Sequence, residues 1–196
     1  MSENEAEVLR LAQQDGDLYT TSFLQQLPRA VKDRRKTDRG FCSRLNKRWK
    51  RPFELFEGVL LLGSQLGSEF NQEESADAKQ KNDLMFAALI RLHARCCLLF
   101  AEVLALLKAG FASGAYARWR TLHETAVTAW FLSNGDQLLA EKYLAHQTVK
   151  TLEDAEQYQK DCVELGFQPV SEEHMKALRL KCDQLRQKFG DAFSGG

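Results

Sequence analysis

The chain has 196 residues, 44% hydrophobic and 28% charged, and its 27 Lys/Arg are balanced by 27 Asp/Glu. Those proportions are those of a soluble globular protein of one domain or one and a half, long enough to bury roughly 70% of its unfolded surface. Five cysteines, odd in number and without a C-x-x-C pair, argue against a disulfide scaffold or a zinc ribbon and for reduced thiols in a cytoplasm.

The N-terminus shows no signal peptide, because Met1 is followed by acidic and polar residues. A short acidic helix is expected over 3–14, then a loop, and a second short helix over 20–27. Pro28 falls where a helix would begin or end. The neutral total hides an asymmetry. Between Arg29 and Arg51 eleven Lys/Arg face only two Asp, so this stretch carries +9 and the remainder −9. Arg34, Arg35, Lys36, Arg39, Arg44, Lys47, Arg48, Lys50 and Arg51 are interleaved with Phe41 and Trp49, with a helix expected from Phe41 to Trp49. Such a patch can hold RNA or another acidic partner by counterion release. It reads equally as a solvated face that balances acidic surface elsewhere, and a homodimer is compatible with either. The chain therefore divides into 1–51, an acidic N-terminal helix plus a basic helical extension, and 52–196, a helical bundle.

Pro52 suits the first turn of a helix running to Phe70, on which Gly63 and Gly67 lie one turn apart, either offering close approach to a neighbouring helix or only weakening this one. Residues 71–81 are polar and read as a turn or frayed end. Asp83 to Lys108 is apolar on nearly every side, the pattern of a central bundle helix, and Gly110 stands at its C-terminal stop. Its most apolar part, Leu84 to Leu107, contains Arg91, His93, Arg95 and Glu102, whereas a membrane span wants about 18 or more uninterrupted apolar residues. Arg91, Arg95 and Glu102 form one charged stripe, and His93 lies opposite it, the usual position of a hydrogen-bonded core histidine. Cys96 and Cys97 read as small core residues.

The next helix starts near Ser113 and ends at the turn Ser133-Asn134-Gly135-Asp136. Arg120, His123 and Glu124 share one of its faces at i, i+3, i+4, while Trp119, Leu122, Ala126 and Trp130 line much of the neighbouring face. The charges are either an intrahelical pair at a bundle edge or an inward group meeting Arg91, Arg95 or Glu102. A long polar helix follows from Gln137 to Leu165, stopping at Gly166, with Tyr143, His146, Gln147 and Lys150 on one face. Counted outward from a tight turn at Asn134, Tyr143 and His146 reach heights comparable to Arg120 and Glu124. Arg120, Glu124, Tyr143 and His146, with His123 nearby, are thus the best candidate constellation. A last helix opens at Ser171 and runs to Phe189. Short connections between long helices predict an all-α, up-and-down bundle of about five principal helices.

Arg118 and His123, four residues between them, match the arginine–histidine spacing of the HEPN helical ribonucleases. On a continuous helix the two side chains stand ~140° apart, and the spacing is common. The run from Trp119 to Glu124 (WRTLHE), preceded by Gly114, resembles the bacterial helical family called domain of unknown function 5677. Residues Lys142 to His146 resemble that family's Y-x-x-H stretch, and Gly190 and Phe193 the approach to its aromatic tail. The resemblance covers 84–196 and is most specific at 114–131. It implies a helical bundle, a shared polar cluster at Arg120, Glu124, Tyr143 and His146, and continuation beyond Gly196 into a glycine–tryptophan segment. It implies no established reaction.

Two functions follow as expectations. One is a HEPN-like RNA-binding protein or metal-independent ribonuclease of bacterial defence. In it Arg120 (or Arg118) stabilises phosphate charge, His123 or His146 acts as general base or acid, and Glu124 orients them. The other is a non-enzymatic interaction module whose core charges fix helix packing. No cofactor is implied, and the His and Cys spacings match no usual zinc site.

Overall fold

The structure is a computed structural model that describes residues 3–190 and 193. The described residues form six α-helices: α1 (Glu3–Arg48), α2 (Lys50–Lys81), α3 (Leu84–Ala109), α4 (Ala112–Ser133), α5 (Gln137–Asp161) and α6 (Glu172–Phe189). The all-α bundle expected from periodicity is what forms, with differences in where several helices begin and end.

The expected short N-terminal helices and their loop are one continuous helix, α1, and Pro28 lies inside it. A proline there removes one backbone donor but holds a helical φ, so the helix runs on with one bond missing. At Trp49 the ladder nearly continues into α2. Trp49 N–H donates to the Leu45 carbonyl and Phe53 N–H to that of Trp49, both at 3.0 Å. Pro52 has no proton to offer the Arg48 carbonyl, and the backbone at Trp49 relaxes to φ −105°, ψ 22°. That single lost bond separates α1 from α2.

Residues 71–81, expected to be a turn, are helical to Lys81. Glu, Gln, Ala and Lys favour helix intrinsically, and Ala78 anchors this last stretch by being buried. The helix stops at Asn82, whose φ of 51° places it in the left-handed region that asparagine tolerates.

Asp83 caps α3 by accepting from Phe86 N–H at 2.9 Å. Gln137, at the start of α5, completes this cap from another helix. Its Oε1 accepts from Leu84 N–H (3.0 Å) and Met85 N–H (3.1 Å), while its Nε2 donates to Asp83 at 2.7 Å. Two orphan donors of α3 are thereby satisfied, and the α3 and α5 starts are pinned together. Gly110 ends α3 with φ 85°, as its position predicted. The helix α5 ends four residues earlier than expected, at Asp161, and closes through a turn in which Gly166 adopts φ 76°.

α3 is the hub. α4 packs along it most extensively, then α2 and α5, and the C-terminal end of α1 touches its last turn. There Asn46 Nδ2 donates to the Lys108 carbonyl at 3.1 Å, and Lys108 pairs with Glu57. Ala88, Leu92 and Leu132 form one buried cluster, flanked by Leu139 and Leu144 of α5. Val149, Leu152, Met175, Leu178 and Cys182 form a second, between α5 and α6. By length and hydropathy alone, Leu84–Lys108 is apolar enough to cross a membrane. In this fold α4, α2, α5 and the end of α1 pack on it, covering part of that apolar surface.

Candidate functional site

α4 meets α3 through Ala115, Thr125 and Leu132, all buried. The buried Thr125 hydroxyl is satisfied by donating to the Thr121 carbonyl at 2.8 Å. Because each residue turns the helix by about 100°, Arg120, His123 and Glu124 point away from this contact. Arg120 Nε donates to Glu124 Oε1 at 3.1 Å, and the two side chains are 76% and 61% exposed. The pair is the intrahelical one, at the bundle edge. The arginine that does reach α3 is Arg118, whose Nε lies 3.1 Å from Glu102 Oε2. That approach misses hydrogen-bond alignment, and the buried oxygen is held by charge alone.

Tyr143 and His146 on α5 are half-buried to exposed. The His146 ring meets Phe193 edge-on at 6.2 Å. On the same face Lys150 is paired with Glu153 at 2.7 Å, and that hydrogen bond raises the lysine and lowers the carboxylate from their ordinary values. Among the described residues no hydrogen bond, ion pair or ring contact joins Arg120, His123 or Glu124 to Tyr143 or His146. After the turn α5 leaves to pack on α3 and α6 rather than running along α4. Equal height along the axis was therefore not enough; direction separated the two groups.

The basic segment lies on α1 and the start of α2, and Arg34, Arg35, Lys36, Arg39, Arg44, Lys47, Arg48, Lys50 and Arg51 are all exposed. Arg34 is tied to Asp38 at 2.9 Å, Lys50 to Glu54 at 3.6 Å, and Arg39 donates to the Arg35 carbonyl. Lys32, Arg35, Lys36 and Arg39 recur at i, i+3, i+4, i+7 and make one cationic face.

Two features escaped the sequence. First, α4 carries an outward row of Tyr116, Trp119, His123, Val127 and Trp130, spaced 3, 4, 4 and 3 residues apart. Tyr116, Trp119, Val127 and Trp130 are 68, 50, 49 and 69% exposed. Tyr116 stacks on Trp119 at 6.1 Å, and Trp119 on His123 at 5.9 Å. The aromatic spacing was visible, but it reads as core until α3 is seen to occupy the other face. Second, an apolar groove of about 610 Å³ lies between α2 and α3, lined by Leu66, Gly67, Phe70, Phe86, Leu89, Ile90 and His93. His93 Nε2 lies 3.0 Å from the Gly63 carbonyl, so it carries the proton and donates. Cys97 Sγ is 3.5 Å from the same nitrogen, but a protonated, bonded Nε2 has no lone pair with which to activate a thiol. Burial raises the neighbouring Cys96 thiol. Among the described residues, no three His, Cys, Asp or Glu are grouped to hold a metal ion.

Residues 86–194, more than half of the chain, match the profile of the Family of unknown function (DUF5677). The chain belongs to that family. The match begins at the first turn of α3 and takes in α4, α5 and α6, so DUF5677 here is the α3–α6 unit, with α1 and α2 outside it. No curated protein and no solved structure matches the chain.

Proposed function

We propose that this DUF5677 protein is a non-enzymatic interaction module, whose family unit docks a partner helix on the outer face of α4. The observation that carries this reading is the row Tyr116, Trp119, His123, Val127 and Trp130. Tyrosine and tryptophan at helical spacing are the side chains that anchor helix-in-groove contacts, since each covers a large area at small entropic cost. Arg120 and Glu124 flank the row and supply polar contacts at its rim. Free cysteines throughout agree with a cytoplasmic home.

A photo-crosslinking residue in place of Tyr116 is expected to give one discrete protein adduct in cells. Trp119→Glu with Trp130→Glu abolishes the adduct while far-UV circular dichroism is unchanged. RNA turnover that His123→Ala or His146→Ala removes, with folding intact, overturns the proposal in favour of a ribonuclease.

A second reading concerns the cationic face of α1. Lys32, Arg35, Lys36 and Arg39 stand on a helix that touches the family unit only near its C-terminal end, which leaves them open to a phosphate backbone. RNA binding that weakens steeply with salt, and is lost when these four are reversed in sign, supports it. Binding indifferent to salt rejects it.

A further inference from the structure

The second helix has two apolar faces, and only one of them is used. Phe53, Leu60, Gly63, Gly67 and Ala78 turn toward α3. On the outer side Leu55, Val59, Leu62 and Leu66 recur at 4, 3 and 4 residues, the spacing of a coiled-coil seam, and are 57, 60, 57 and 55% exposed, with Leu66 standing where this face meets the rim of the α2–α3 groove. Among the described residues nothing covers them.

The same face continues in both directions. Arg51, Arg48 and Arg44 extend it toward the N-terminus, and Glu69, Glu73 and Asp77 toward the C-terminus, all exposed. At about 100° per residue these ten positions fall within ~80° of one another. The phase is preserved across Trp49 because the backbone bonds on either side of it remain helical. One face of the rod thus reads basic, then apolar, then acidic. Its charged groups have little to hold them locally. Among the described residues Arg44, Arg48, Arg51 and Glu73 have no ion pair in the chain. Glu69 accepts only from Gln65, and Asp77 pairs with Lys81 at 2.7 Å, both exposed i,i+4 contacts.

We infer that this face binds a second copy of the chain, antiparallel, about a two-fold axis midway between Val59 and Leu62. That axis sets Leu55 against Leu66 of the second copy and Val59 against Leu62 of the second copy. It also sets Arg48 opposite Glu73 and Arg44 opposite Asp77, with Arg51 beside Glu69, twice over by symmetry. The charge order selects antiparallel over parallel, because a parallel pair would lay arginine on arginine and glutamate on glutamate. From Arg44 to Asp77 the contact runs ~50 Å, long enough for a stable two-helix interface. This surface lies outside the family unit and is separate from the α4 row, so either proposal can fail alone.

The experiment is sedimentation of the full chain over a concentration series, with circular dichroism to verify folding. The wild type is expected to be a dimer whose dissociation constant rises about 100-fold or more on Leu62→Glu. Arg48→Glu and Glu73→Lys each weaken the dimer, and the combination Arg48→Glu/Glu73→Lys restores it, since the swapped charges meet again across the axis. A wild type that stays monomeric to ~100 µM overturns the inference, as does a dimer that survives Leu62→Glu. Failure of the charge swap to restore association overturns the antiparallel arrangement. The α4 adduct at position 116 should persist in Leu62→Glu, and its loss there would tie the two surfaces together.

Discussion

The rod formed by α1 and α2 and the family unit formed by α3 to α6 are equally helical but differ in what holds them. Among the described residues only Ala78 of the rod is a buried apolar residue, whereas Ala88, Leu92, Leu99, Val103, Leu104, Leu132, Val149, Leu152, Met175, Leu178 and Cys182 are buried in the family unit. Helix formation in water is marginal without tertiary packing. The rod therefore depends on intrinsic propensity, on its contacts with α3 and on whatever covers its outer face, while the family unit carries its own core. The family unit is richer in apolar residues, above all in α3, and its apolar faces also have partners, whereas the outer apolar face of α2 has none among the described residues.

The largest expected effect comes from removing core volume. Leu92 is 4% exposed at the centre of the cluster with Ala88 and Leu132. Leu92→Ala should cost about 2–5 kcal/mol in urea unfolding, because methyl groups are lost and the cavity closes only partly. Val31→Ala on the exposed rod should fall within about 0.5 kcal/mol of wild type. Similar costs at the two positions would erase the distinction between the regions.

Where the rod does meet the family unit, a glycine decides the fit. A Cβ on Gly67 would lie 2.1 Å from His93 Nε2, so Gly67→Ala must displace the ring and its bond to the Gly63 carbonyl. Overpacking typically costs about 1–3 kcal/mol, against roughly 1 kcal/mol gained from alanine's helix propensity. A net loss is expected, and a double-mutant cycle with His93→Ala should recover much of it. An additive cycle would show that the two residues are not in contact.

The fold was legible to the extent that it followed from periodicity and punctuation. Gly110 stops α3, Asp136 and Ser171 cap α5 and α6, and the glycine at 67 receives a neighbouring helix, each as its residue type implies. One proline misled. Pro28 looks like a boundary, yet it only removes one donor from a helix that continues, whereas Pro52 stands in the first turn of α2 as its residue type implies. The candidate site was less legible for a geometric reason. Residue counts give height along an axis, but which helices lie side by side depends on where α5 finds its apolar partners, and those are α3 and α6. Arg118 meeting Glu102 was likewise hidden, because the two lie on different helices and only their facing direction joins them.

The Asp83–Gln137 clasp holds the starts of α3 and α5 together, and it is charged. The hydrogen bond from Gln137, and then the one from Phe86 N–H, hold the Asp83 carboxyl below the ordinary carboxylate value. A carboxyl depressed in the folded state adds stability that is fully present above its unfolded pKa and is lost as pH falls through its folded pKa. Asp83→Ala should therefore destabilise by about 1 kcal/mol near pH 7, the usual worth of an N-cap. The gap between variant and wild type should narrow below about pH 4, where unfolded carboxyls take up protons. A gap that widens toward acid would reverse the sign and remove the clasp as its cause.

The smallest effect expected is at Arg120 and Glu124, and it discriminates best between the two ways of reading α4. If the pair is only an exposed i,i+4 contact, Arg120→Ala and Glu124→Ala each cost a few tenths of a kcal/mol, about 0.2–0.5, and the cost shrinks with added salt. A buried or converging pair would instead leave one charge unpaired and cost about 3–5 kcal/mol, with little response to salt. The exposure of both side chains argues for the small value. Measured small, it assigns the polar residues of α4 to the rim of a docking face, where they choose a partner without holding the helix in place.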